Sequence, residues 1–246
     1  MKKAELCVSH AIPNAYFRKM FRMDGGNAIH LTDGPDKNKK TQDSGSDYLL
    51  CEQCEDAFNA EFDRPAISFL KKYRTQISST GHRGIYPIRN LFQFVVSVIW
   101  RAAVSRASLY SQVQLSSADE FRIRSALFNR KQLRNVASVS IRNLSDSTPN
   151  GFSESELANF IQPPARFDGI SKGKNYALYA MIFDGFVLTI HLPRLPYPRG
   201  RKRTFVTSEH RRVFAADFDI FSYPPMLQVM RSAFQKYKAG HQTFKG

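Results

Sequence analysis

The apolar run Leu91 to Trp100 limits the possible folds more than any other segment of this chain. At ten residues, with Asn90 and Arg101 on its flanks, it falls well short of the ~20 apolar residues that a membrane span needs. Leu91, Phe94, Val95, Val98, Ile99, Ala102 and Ala103 recur at three- and four-residue spacing, the period of a helix with a wide buried face. Pro87 stands where such a helix can begin. A helix of this kind must be covered by other elements, so the chain needs a core built around it. Its 246 residues, 42% of them hydrophobic and twenty of them Phe, supply one. That content excludes disordered and collagen-like classes, because enough apolar area is present to offset the ordering entropy.

The elements around that helix follow from period and punctuation. Residues 24–47 are rich in Gly, Asp, Asn and Lys and predict a loop with room for a short hairpin. Between Glu52 and Tyr73 the apolar positions, interrupted by Pro65, predict two consecutive short helices. A capping-box pattern at Ser117-Ala118-Asp119-Glu120 opens a helix expected to bury Phe121, Ile123, Ala126 and Leu127. Val136 to Leu144 alternates as a half-buried strand, with Ser138, Ser140 and Arg142 on its polar side. Ser153-Glu154-Ser155-Glu156 starts a short helix that Pro163-Pro164 ends. Tyr176–Phe183 and Phe186–Leu192 flank Asp184-Gly185, a strong two-residue hairpin signal. Ser222 and Pro224-Pro225 introduce a last helix, to about Lys238. The predicted class is α+β: an N-terminal zinc module, a helical middle, and a C-terminal antiparallel hairpin or sheet with a terminal helix. The boundaries are 1–75 for the zinc-binding module and 76–246 for a basic α+β domain, the two packed as one unit.

Thirty-six Lys and Arg against 21 Asp and Glu leave a net charge of +15, which points to a polyanionic partner. The charge is unevenly placed. Residues 1–60 hold eight basic and nine acidic side chains, so the whole excess lies downstream. Its densest part is Arg199-Gly200-Arg201-Lys202-Arg203, followed by Arg211 and Arg212. These six cations, Arg199, Arg201, Lys202, Arg203, Arg211 and Arg212, are the expected phosphate contacts. The N-terminal stretch meets Glu5, Cys7, His10 and Pro13 instead of a long apolar run, so a cytoplasmic location without a membrane is expected.

Cys7-Val8-Ser9-His10 and Cys51-Glu52-Gln53-Cys54 are two ligand pairs of identical spacing, and they contain all three cysteines of the chain. Soft thiolates with one imidazole suit tetrahedral Zn²⁺. The expected site is a structural zinc on Cys7, His10, Cys51 and Cys54. With Tyr48-Leu49-Leu50 leading into Cys51 and a helix after it, the arrangement looks like a treble clef, one pair from a knuckle and the other from a helix start.

Cys-x2-Ser-His-x-Ile-Pro at 7–13, Gln42-Asp43, Tyr48-Leu49-Leu50-Cys51-x2-Cys54-Glu55 with Phe58, and Phe94 to Arg101 together resemble a family of largely uncharacterised bacterial proteins labelled HNH-like. The match covers roughly residues 7–105, and its zinc motif is the most specific part. The resemblance implies a bacterial or phage-related zinc protein and carries over no established activity. Ser9-His10-Ala11-Ile12-Pro13 also echoes the strand that supplies the general base of HNH nucleases, and Leu49-Leu50-Cys51-x2-Cys54 echoes their zinc knuckle. Such chemistry needs a free histidine base and a separately held cation. His10 is the only catalytic candidate, and a zinc-bound His10 cannot act as that base. The helix after Cys54 offers Asn59, Glu61 and Asp63 but no histidine.

Arg203-x6-His210 has the spacing of an HEPN ribonuclease motif, but it follows a predicted hairpin instead of standing in a helical bundle. No Gly-x-Ser-x-Gly elbow, phosphate-binding loop or dinucleotide fingerprint is present. The expected function is therefore a zinc-stabilised, basic, nucleic-acid-associated protein of a bacterium or phage, plausibly part of an anti-phage defence or mobile-element system. The alternatives are a divergent HNH-type endonuclease and an interaction subunit whose positive surface docks an acidic protein partner.

Overall fold

The N-terminal unit is made of β1 (Leu6–His10), α1 (Asn14–Met23), a short hairpin of β2 (Ala28–His30) and β3 (Lys39–Thr41), and β4 (Ser46–Cys51). β1 and β4 pair antiparallel, with Cys7 opposite Leu50, Val8 opposite Tyr48 and His10 opposite Ser46. The computed structural model describes residues 5–23, 25–31, 39–80, 88–129, 136–171, 174–195, 205–206 and 215–239.

α2 (Glu52–Phe58) starts directly at the end of β4. The sequence predicts a break at Pro65, yet the chain passes through a π-helical turn at Asn59–Asp63 straight into α3 (Arg64–Thr80). Pro lacks an N–H and its ring strikes the carbonyl four residues back. Pro65 is tolerated because it sits in the first turn of α3, just after hydrogen bonding has shifted to wider spacing, Arg64 N–H bonding the Asn59 carbonyl. The wide turn also brings Phe62 and Asp63, adjacent residues, both into the interior.

α4 (Ile88–Val104) is the predicted central helix, with Phe94, Val95, Val98, Ile99 and Ala102 fully buried. α5 (Ser117–Phe128) is capped one residue earlier than the pattern suggested: Ser116 Oγ accepts the Asp119 N–H at 3.1 Å. Ile123, Ala126 and Leu127 are buried as expected, but Phe121 is 60% exposed. It lies two residues from Ile123, at ~100° per residue the opposite side of the helix.

The C-terminal half forms a six-stranded sheet from β5 (Ser138–Ser145), β6 (Gln162–Ser171), β7 (Lys174–Phe183), β8 (Phe186–Leu192), β9 (Phe205–Val206) and β10 (Ala216–Asp219). The order is β10-β5-β8-β7-β6, with β9 also pairing β5; among the described residues only β10 and β5 run parallel. Asp184-Gly185 makes the β7–β8 turn, with φ of 53° and 78°, the positive values that a two-residue hairpin requires. α6 (Glu154–Leu157) has the Ser153/Glu156 capping box. Pro163-Pro164 do not end that helix; they lie in β6, where the register shifts between Gln162 and Ala165. β6 is an edge strand, where prolines interrupt no second ladder. α7 (Pro224–Lys238) closes the fold.

Side-chain alternation divides the sheet between two apolar layers. Tyr179, Met181 and Phe183 of β7 with Phe186, Leu188 and Ile190 of β8 join one core with α1 through α5, and Ala180, Ile182 and Val187 face α7 on the other side. Both faces being covered, Ser138 and Ser140 are buried instead of solvated. Ser140 Oγ lies 2.6 Å from Thr189 Oγ1, and Ser138 Oγ accepts the Leu195 N–H. Among the described residues no helix is long and apolar enough to cross a membrane.

Candidate functional site

Cys51 is the N-cap of α2, in an extended conformation with φ −73° and ψ 159°. The free N–H groups of a helix start favour negative charge there. The Cys54 N–H, and then the Cys54 thiol, hold the Cys51 thiol below its usual value, while burial and the neighbouring Cys51 push Cys54 up. These two expected ligands are brought together.

Cys7 and His10 are not joined to them in the same way. Cys7 shares the inner face of the β1–β4 pair with Leu50, whereas Cys51 stands opposite Leu6 and so on the other face. His10 is three residues further along an extended strand, ~10 Å at the strand rise, and its Nε2 lies 3.1 Å from Ser44 Oγ. A knuckle needs a tight turn between Cys7 and His10, but here both belong to β1. Among the described residues no three His, Cys, Asp or Glu side chains converge as a metal cage. The thiol pair fits half of a zinc site; His10, as placed, does not complete it.

Beneath this unit lies a polar core that the sequence did not announce. Arg101, wholly buried, donates from Nη1 and Nη2 to the two Asp63 oxygens at 2.9 and 2.7 Å, and Nη2 also reaches Ser97 Oγ at 3.2 Å. Burial works against the Arg101 charge, but Asp63, with Glu55 and Tyr110 beyond it, outweighs that and raises its pKa. The Tyr110 hydroxyl is pushed up to about 12, chiefly by burial, and accepts the Ile12 N–H. Tyr16 Oη and Glu55 Oε2 are buried without a hydrogen-bond partner among the described residues. His10 is held below 6.5 by burial, then by Arg101, then by Arg18. Its imidazole is neutral at pH 7 and therefore chemically able to take a proton.

Of the later helical candidates, Asp63 is committed to Arg101. The six expected phosphate contacts, Arg199, Arg201, Lys202, Arg203, Arg211 and Arg212, lie outside the described residues, as does the Arg203/His210 pair. In sequence the first four fall between β8 and β9, and Arg211 and Arg212 between β9 and β10. A cationic surface that sequence reasoning missed is on α1: Asn14, Ala15, Arg18, Lys19 and Arg22 line one concavity. The four-residue spacing of Arg18 and Arg22 was the available signal. Comparisons of the chain with family models, with curated proteins and with solved structures found no match.

Proposed function

We propose that this chain is a nucleic-acid-binding protein whose N-terminal unit is zinc-stabilised, with Cys51 and Cys54 as ligands. The observation that carries the reading is how its carboxylates are engaged. Asp63, Asp168 and Asp184 are paired with Arg101, Arg166, and Lys19 plus Arg74. Asp47, Asp146 and Asp219 accept backbone N–H groups that order loops. With 36 Lys and Arg against 21 Asp and Glu, carboxylates so engaged leave an excess of cations balanced only by mobile counterions, a charge that favours a polyanionic partner. The test is fluorescence anisotropy with labelled single- and double-stranded DNA and RNA over a salt series. Binding should weaken linearly in log salt, by ~0.9 per phosphate contact on duplex. No binding at low salt, or salt-independent binding, overturns the reading; preference for a polyacidic peptide moves it to an acidic protein partner.

The zinc part of the proposal is supported by the thiol pair at the head of α2, and Zn²⁺ there would tie α2 to β4. About one equivalent in freshly reduced protein is expected, lost in Cys51→Ser. His10→Ala decides whether the imidazole is a ligand, since its contact with Ser44 leads us to expect zinc retention. Less than ~half an equivalent in the unmodified protein removes zinc from the reading.

A second reading, an HNH-type nuclease, is favoured by one observation: His10 points to Ser44 and is kept neutral, which relieves the conflict between ligand and base. Plasmid nicking with Mg²⁺ or Mn²⁺ that disappears in His10→Ala would establish it. Intact plasmid under both metals would end it.

A further inference from the structure

We propose that the exposed face of α1 is a phosphate-contact surface for a nucleic-acid backbone. The inference rests on the nucleic-acid reading above and adds a place that the charge count hides, because residues 1–60 sum to a net negative charge. α1 contains no acidic residue. Asn14, Arg18 and Arg22 repeat every four residues, with Ala15 and Lys19 beside them, and line a concavity of about 500 Å³. The opposite side of the helix is anchored by Tyr16 and Phe17, which are 6% and 3% exposed. The cationic face therefore cannot rotate away.

Lys19 Nζ lies 3.1 Å from Asp184 Oδ1, a carboxylate that Arg74 also occupies. One anion thus serves two cations. Arg18 and Arg22 are exposed and have no ion pair or hydrogen bond within the described protein. Like charges one helical turn apart repel, and an external anion between them removes that cost. The lining holds three cations, one amide and a single methyl group. Phosphate oxygens are met by Arg, Lys and Asn side chains in the open. Guanidiniums four residues, ~6 Å, apart along the axis can serve different phosphates of one strand.

The test is the same anisotropy salt series on Arg18→Gln/Arg22→Gln, which keeps much of each side chain's apolar stem, with circular dichroism to confirm the fold. Arg122→Gln/Arg124→Gln on α5, whose partners are Asp119 and Glu120, is the control. The expected result is a loss of about 1.8 from the log–log slope on duplex, or about 1.4 on single strands, from two contacts, with the control unchanged. If the unmodified protein binds and the α1 variant keeps its slope, the inference fails and the function stands. An equal loss in the control also overturns it, since the effect is then only net charge. If the unmodified protein does not bind, both fall together.

Discussion

Replacing Asp63 by Asn should destabilise the protein by about 3–5 kcal/mol, because it leaves a buried charge without its partner. The side chains of Arg101 and Asp63 are 1% and 8% exposed, and two hydrogen bonds of 2.9 and 2.7 Å join them. After the substitution the guanidinium keeps only neutral acceptors: one amide oxygen at position 63, and Ser97 Oγ and the Ser97 carbonyl at 3.2 and 3.4 Å. Against a whole-domain stability of ~5–15 kcal/mol, that loss shifts the urea midpoint by a large fraction of its value. Trp100, the only tryptophan in the chain, reports it directly: it is 5% exposed, next to Arg101, and meets Phe128 edge-to-face and Phe58 at a tilt. The double variant Asp63→Leu/Arg101→Met should recover most of the loss, since replacing a whole buried pair by apolar groups of similar volume is often neutral. Urea unfolding followed by tryptophan fluorescence and circular dichroism supplies the four corners of the cycle. A loss under ~1 kcal/mol in Asp63→Asn, or a double variant as unstable as the sum of the singles, would refute the reasoning.

Two glycines in left-handed conformations separate backbone strain from collision. At Gly185, φ +78°, an added Cβ meets nothing nearer than Ala158 Cα at 3.7 Å, so Gly185→Ala should cost only the conformational ~1–2 kcal/mol. At Gly45, φ +64°, the same atom falls 2.7 Å from Tyr110 Cε2, so Gly45→Ala should cost clearly more; equal urea midpoints would contradict this. His191 is kept below 6.5 by burial, against a raising hydrogen bond at the Ser138 backbone and with a further lowering by Arg142. Its contribution is complete above pH ~6.5 and declines as the pH falls from there toward the folded-state value, so His191→Gln should flatten the pH dependence of the urea midpoint below neutrality. An unchanged slope would show that His191 titrates alike in both states.

The elements legible in the sequence were those whose information is local. The central helix around Leu91–Ala103 and the Asp184-Gly185 hairpin carry their period and their turn chemistry within a few residues, and both stand where expected. The misses were tertiary in origin. Phe121 has the spacing of a core residue, yet the core met α5 on its other side. Ser138 and Ser140 alternate as a solvated face, yet α7 and its neighbours cover that side of the sheet. Pro65 reads as a break, and the π turn that absorbs it has no local signature.

The candidate site shows the same limit more sharply. Spacing says that Cys51 and Cys54 can share an ion, because a helix start fixes the geometry of residues three apart. The same spacing at Cys7 and His10 fixes nothing until the local conformation is known: a turn brings such residues together and a strand drives them apart. β1 is a strand, held by five paired positions against β4. Equal spacing therefore produced unequal geometry, and it left His10 beside Ser44, electrostatically within reach of Arg18 on α1. That places a neutral imidazole and an unneutralised guanidinium in one neighbourhood. The salt slope of the α1 variant and the metal content of His10→Ala are thus complementary measurements, the first on the surface that would receive a phosphate and the second on whether the nearby histidine is free.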